Sequence, residues 1–193
     1  PNFLDSSFEN ITINKIRKPY FVWSVQRTKG LNEIILKWKQ HIYKKNKKPQ
    51  LFIFGLTHKS LNNFDINSLR NFNIHMKGRV SKKELIRYYK KSMGMICLGY
   101  DETFCLNAIE SMACGLPIIT FGYSALSEIA NKQNSLKVTD FDDVCQKILL
   151  LYNMNLKSRV KLSKNCIRFS KIYYLKNLIK IWIKALGINK FKV

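Results

Sequence analysis

Two glutamates, Glu102 and Glu110, stand eight positions apart in the stretch from Gly99 to Pro117. Carboxylates accept hydrogen bonds from sugar hydroxyls and carry protons in acid–base chemistry. On one continuous helix, residues eight apart differ by ~12 Å in rise and ~80° in azimuth, so the two cannot act as a close pair. They can serve one site if Glu102 lies in a loop and a helix begins near Phe104. The free N–H groups and positive dipole end of that helix would form an anion site, and Glu110, about two turns in, could accept from a vicinal diol such as ribose. The chain holds six glutamates, so the spacing alone is weak and its surroundings have to carry it.

A second candidate is Lys29, which precedes Gly30 at the start of a helical pattern, with Arg27 two residues before it. The adjacent Gly30 and the preceding strand make this Lys a functional candidate, whereas most of the 27 lysines read as solvated charge. His41, His58 and His75 fall in no ligand spacing, and no metal and no cofactor are expected. Cys97, Cys105, Cys114, Cys145 and Cys166 include no C-x-x-C pair and read as reduced thiols in a cytoplasmic protein.

These groups need a scaffold, and apolar runs of strand length alternate with stretches of helical period. Residues 19–25 (PYFVWSV), 51–54 (LFIF), 73–77, 93–98 (MGMICL) and 117–121 (PIITF) read as strands. Leu31, Ile34, Ile35, Trp38 and Ile42 mark the first helix, and Ser81 with Glu84 forms a capping box for a helix through Lys91. Further helices are expected over 104–114, 125–131, 141–152 and 156–167. This alternation predicts an α/β, Rossmann-like doubly wound parallel sheet with helices on both faces, whose ligands sit beyond the strands' carboxyl ends.

With E-x7-E followed directly by Ala113-Cys114-Gly115-Leu116-Pro117, the chain resembles the C-terminal domain of retaining glycosyltransferases of family 4, which have the GT-B fold. Lys29-Gly30-Leu31, the strand ending at Gly55, Gly78-Arg79-Val80 with Glu84-Leu85, and Glu128 after Gly122 resemble further family features, over roughly residues 19–186. The resemblance implies that Glu110 binds the ribose of a nucleotide diphosphate sugar and that the catalytic residue Glu102 contacts the donor sugar. It implies that Lys29 pairs with the diphosphate, and that backbone around Gly78, Arg79 and Val80 meets the base. Thr103, Phe104, Cys105 and Leu106 would line the donor loop. The family usually reads E-G-F-G where Glu102-Thr103-Phe104-Cys105 stands here, and Tyr123 and Ser124 replace its paired glycines. Trp23 and Ser24 replace its Gly-Arg pair, leaving Arg27 as the nearest substitute cation.

The implied function is metal-independent, retaining transfer of a sugar to a glycan or lipid-linked acceptor. The 193 residues suffice for one domain of this type and not two. The expected organisation is therefore a linker remnant over 1–18, a nucleotide-sugar-binding domain over 19–170, and an amphipathic helix with a basic tail over 171–193. The N-terminal acceptor domain would be a missing partner, and this chain alone would be inactive. The sequence begins at Pro1 rather than Met, which fits an excised piece.

The formal net charge of +22 suits phosphates, nucleic acid or anionic lipid. Lys outnumbers Arg 27 to 7, which agrees with a general compositional bias as readily as with a functional basic face. No nucleic-acid motif appears, and no nucleic-acid partner is expected; a basic nucleic-acid binder and a non-catalytic sugar-nucleotide-binding module are the alternatives. In the last helix, Ile172, Leu175, Ile179, Trp182 and Leu186 share a face. That face is expected to pack at the domain junction rather than lie on a membrane, and in this chain to be left exposed. Peripheral contact with the inner face of an anionic membrane is a further expectation, through the basic surface.

Overall fold

The computed structural model describes residues 3–24, 30–56, 65–101 and 103–187. Six strands form one parallel sheet in the order β3-β2-β1-β4-β5-β6. They are β1 (Tyr20–Trp23), β2 (Gln50–Phe54), β3 (Ile74–Gly78), β4 (Gly94–Ile96), β5 (Ile118–Thr120) and β6 (Ser135–Lys137). Phe21, Val22, Leu51, Ile53, Met95, Ile96, Ile118 and Ile119 are almost wholly buried, the near-continuous apolar runs of a sheet covered on both sides.

The crossovers carry α1 (Leu31–Lys37), α2 (Ile66–Leu69), α3 (Lys82–Lys91), α4 (Leu106–Ala113) and α5 (Ala125–Ile129); α6 (Phe141–Asn153), α7 (Leu156–Ser170) and α8 (Leu175–Ala185) follow β6. Helix α1 packs against α6, and α4 against α7. Beyond α1 the chain widens into a π turn over Trp38–Tyr43, and this extends the buried stripe of Leu31, Ile34, Ile35, Trp38 and Ile42. Gly30 opens α1 at φ +83°, and a Cβ there would lie 3.3 Å from the Phe141 ring, so the Lys-Gly step needs its glycine.

Three details differ from the sequence expectation. Residues 135–137 form the sixth strand at the sheet edge, a segment too short and polar to show strand periodicity. Arg70–Phe72 and α2 occupy part of the stretch read as a polar loop, with the Asp65 carboxylate accepting from the Asn67 N–H as cap. The described part of the expected linker, residues 3–18, is packed into the domain, because Leu4 and Phe8 are core residues and Arg17 is buried.

Arg17 binds that segment to the fold. Its Nη1 donates to the carbonyls of Tyr89 and Ser92, and its Nη2 to those of Cys114 and Gly115, at 2.7–3.1 Å. These carbonyls end α3 and α4, so one buried cation faces two negative helix termini. Burial lowers its pKa to about 10, and the guanidinium stays charged at neutral pH.

Candidate functional site

The strand order reverses between β1 and β4, which opens a crevice at their carboxyl ends. Helix α4 closes it: Asn107 Nδ2 donates to the Ser24 carbonyl just past β1. The Ser24 hydroxyl shares a 2.6 Å hydrogen bond with the Tyr89 hydroxyl of α3. The elements that should carry the nucleotide site thus meet at one edge.

Helix α4 begins at Leu106, so Glu110 lies about one turn inside it rather than two, close to the N-terminal N–H groups. Its residue is only 6% exposed, and burial pushes the carboxyl up to about 7 from 4.5, against the pull of Lys82 and with the like charge of Asp5 adding to the rise. No hydrogen bond reaches the Glu110 carboxylate among the described residues. Lys82, the first residue of α3, makes a 3.0 Å ion pair with Asp5. Asp5 is held well below the usual carboxylate range by hydrogen bonds from Ser7 and then by Lys82. Ser81 caps α3 by accepting the Glu84 N–H.

Gly78, Arg79 and Val80 lead from β3 to that cap, on the same side as Glu110. Glu110, Asp5 and Lys82 therefore form one polar group, of which the sequence pattern marked only Glu110. The Asp5-Ser6-Ser7 capping turn and the basic residue directly after Ser81 were the available signals for the other two.

Cys105 precedes α4 with φ 52° and ψ 57°, a left-handed conformation that favours glycine. Its Sγ lies 3.2 Å from the Sγ of Cys97 at the end of β4. Ser124 holds φ 50° and ψ −138°. Both stand where the resembled family carries glycine, so the glycine-type turns remain although the glycines are gone. Thr103 is exposed, and Phe104 packs edge-on to Tyr173 at 5.7 Å. Glu102, Arg27 and Lys29 lie outside the described residues. Among the described residues, no group of three or more His, Cys, Asp or Glu is placed to hold a metal ion.

A family profile described as glycosyl transferases group 1 matches residues 7–169. The chain belongs to that family. No curated protein sequence matches it significantly. Among solved structures, this group 1 domain is similar to an S. aureus TarM variant crystallised with fondaparinux, α-GlcNAc-glycerol and UDP, at TM-score 0.74 and 16% identity over 94% of this chain and 38% of that one. It is similar to the pneumococcal O-GlcNAc transferase GtfA in complex with UDP and GlcNAc, at TM-score 0.71 and 18% identity over 92% of this chain and 37% of that one. Against the C-terminal domain of a group 1 family protein, LpcC, from Francisella tularensis, the TM-score is 0.68 and the identity 20%, covering 89% of this chain and 99% of that domain. The group 1 domain thus spans well under half of TarM and GtfA and nearly all of the isolated C-terminal domain, and at these identities the likeness is one of fold.

Proposed function

We propose that this domain binds a nucleotide diphosphate sugar at the β1/β4 crevice and serves a glycosyltransferase that works with retention and without a metal. The carrying observation is Glu110, a carboxyl buried at the start of α4 beside Lys82 and the loop after β3. Burying such a group without a hydrogen-bond partner is costly, and a ribose diol would supply two donors to its ionised form. The α4 N-terminus and Lys29 would meet the diphosphate, and stabilise the charge that gathers on the departing nucleoside diphosphate. Glu102 would accept from the donor sugar's hydroxyls, contacts that strengthen as its anomeric carbon becomes electron-poor.

The acceptor would be held by an N-terminal domain, and this chain alone would show no turnover, because acceptor positioning and water exclusion would come from that partner. The protein would act in the cytoplasm at the inner face of an anionic membrane. Support for that contact comes from α7, where Lys157, Lys161, Lys164 and Arg168 lie exposed in one stripe beside Leu156 and Val160, along a groove of about 780 Å³. Residues 144–193 contain no Asp or Glu. No described helix is long and apolar enough to cross a membrane.

Calorimetric titration of UDP, GDP and ADP in chelator, beside a single-stranded oligonucleotide at physiological salt, tests the reading. Metal-free binding of one nucleotide, weakened by ~1–3 kcal/mol in both Glu110→Ala and Lys29→Ala, is expected. Oligonucleotide binding alone would refute it.

A further inference from the structure

Two thiols meet at the carboxyl edge of the sheet, outside the chemistry given to the nucleotide. Cys97 directly follows β4 and Cys105 directly precedes α4, eight positions on, and their Sγ atoms lie 3.2 Å apart. Both backbones are anchored. The Cys97 N–H donates to the Ile119 carbonyl of β5 at 2.9 Å, and the Cys105 carbonyl accepts the Ala108 N–H of α4 at 3.0 Å. Cys97 is wholly buried and Cys105 is 8% exposed, the most of the five cysteines.

The turn itself does not ask for cysteine. With φ 52° and ψ 57°, residue 105 stands in a left-handed conformation that glycine adopts at no steric cost and a residue with a Cβ adopts only against strain. What the side chain brings is a sulfur, and that sulfur lies against the one on Cys97. The other three cysteines are poor reactants: burial pushes Cys114, Cys145 and Cys166 up to about 12, 11 and 12, which leaves little thiolate at neutral pH.

All five cysteines are thiols in the structure. Two thiols in contact differ from a single one in what oxidation does to them. A disulfide holds its sulfurs ~2.0 Å apart, so this pair has ~1.2 Å to close, a change that side-chain torsions can make.

We propose that Cys97 and Cys105 are a redox-sensitive pair whose disulfide, formed by hydrogen peroxide, clamps the start of α4 to the end of β4. The more exposed Cys105 reacts first: its sulfur attacks one peroxide oxygen, the O–O bond breaks, and Cys105 becomes a sulfenic acid as one water leaves. The Cys97 sulfur then attacks that of Cys105, the S–O bond breaks, and the hydroxyl departs with the Cys97 proton as a second water. Two electrons pass from the two thiols to one peroxide, and both thiol protons end in water. Cys97 thereby spares Cys105 from oxidation beyond the sulfenic acid. The clamp falls at the α4 N-terminus given above to the diphosphate, and its chemistry is independent of that reading.

Peptide mapping of the whole chain tests the pair. The folded protein is treated with a few equivalents of hydrogen peroxide, its remaining thiols are alkylated, and chymotrypsin, which cuts after Tyr100 and Phe104, separates the two cysteines. The wild type should yield a linked peptide joining Cys97 to Cys105, lighter by two hydrogens than the sum of its halves and released by dithiothreitol, with Cys114, Cys145 and Cys166 alkylated. In Cys97→Ser, dimedone should capture a sulfenic acid at Cys105, whereas in Cys105→Ser the buried Cys97 should remain a thiol; circular dichroism verifies that both variants fold. Amide exchange at residues 103–108 should slow ~3-fold or more on oxidation and recover on reduction, because the cross-link suppresses openings of the turn. A disulfide to any other cysteine, sulfinic acid at Cys105 of the wild type, or two unmodified thiols in protein whose methionines are already oxidised would overturn the pair. A mapped disulfide that leaves amide exchange unchanged would overturn the clamp.

Discussion

The protonation of Glu110 should control donor affinity between pH 6 and 8. With its carboxyl pushed up to about 7 by burial, the unliganded domain passes through half-ionisation at neutral pH. A ribose diol donates to the carboxylate, not to the acid, so binding should lower the pKa and release a proton. The ionised fraction rises from roughly one-tenth at pH 6 to nine-tenths at pH 8, and affinity should therefore rise ~10-fold, ~1.4 kcal/mol. UDP-, GDP- or ADP-glucose, whichever binds, is the ligand of choice because its phosphates do not titrate in this range. Calorimetry in buffers of different ionisation enthalpy reports the affinity and the released proton together. Glu110→Gln should bind with a flat pH profile. The same shift affects folding: the folded value lies above 4.5, so the stability associated with the neutral carboxyl is full below about 4.5 and lost as pH rises through 7. The loss approaches ~3 kcal/mol, and Glu110→Gln should stabilise the domain at pH 8 but little at pH 4. A wild-type affinity independent of pH, or an equal slope in the Gln variant, would refute the role given to Glu110.

Further perturbations separate the remaining claims. Arg17→Met should cost ~3–5 kcal/mol in urea unfolding, because four carbonyls at two helix ends lose their charged donor; a loss under ~1 kcal/mol would make residues 3–18 incidental to the fold. Ser124→Gly and Ser124→Ala both lose the hydroxyl's bond to the Tyr100 carbonyl, but only Gly relieves the strain of the left-handed backbone, so the Gly variant should melt a few degrees above the Ala variant; equal Tm values for the two would show that the φ of 50° carries no cost. Lys82→Ala should raise the Glu110 pKa further and move the donor-affinity midpoint to higher pH, read from the same titration. An unmoved midpoint would show that Lys82 does not act on that carboxyl.

The sheet was legible because a doubly covered parallel sheet is built from unbroken apolar runs, and LFIF, MGMICL and PIITF announce themselves. The helices were legible where a cap and a period coincided, as at Ser81 with Glu84. Ser135–Lys137 was not, since an edge strand of three residues with only one partner need not be apolar. The fold of residues 3–18 was hidden for another reason: Leu4, Phe8 and Arg17 are too sparse for any periodicity, and their partners lie far along the chain. Of the site, Glu110 was marked by its motif, but its burial and its neighbours Asp5 and Lys82 are tertiary facts. The turns at Cys105 and Ser124 reverse a residue-level inference, because losing a glycine does not mean losing the conformation the glycine served.

The central claim, a nucleotide seated between the α4 N-terminus, Glu110 and the loop after β3, is tested most directly by amide chemical-shift mapping of the labelled chain with the nucleotide that binds. The account predicts the largest shifts at Gly78 to Lys82 and from Leu106 to Glu110, with the basic stripe of α7 unaffected. Shifts confined to Lys157, Lys161, Lys164 and Arg168, with the crevice silent, would contradict it.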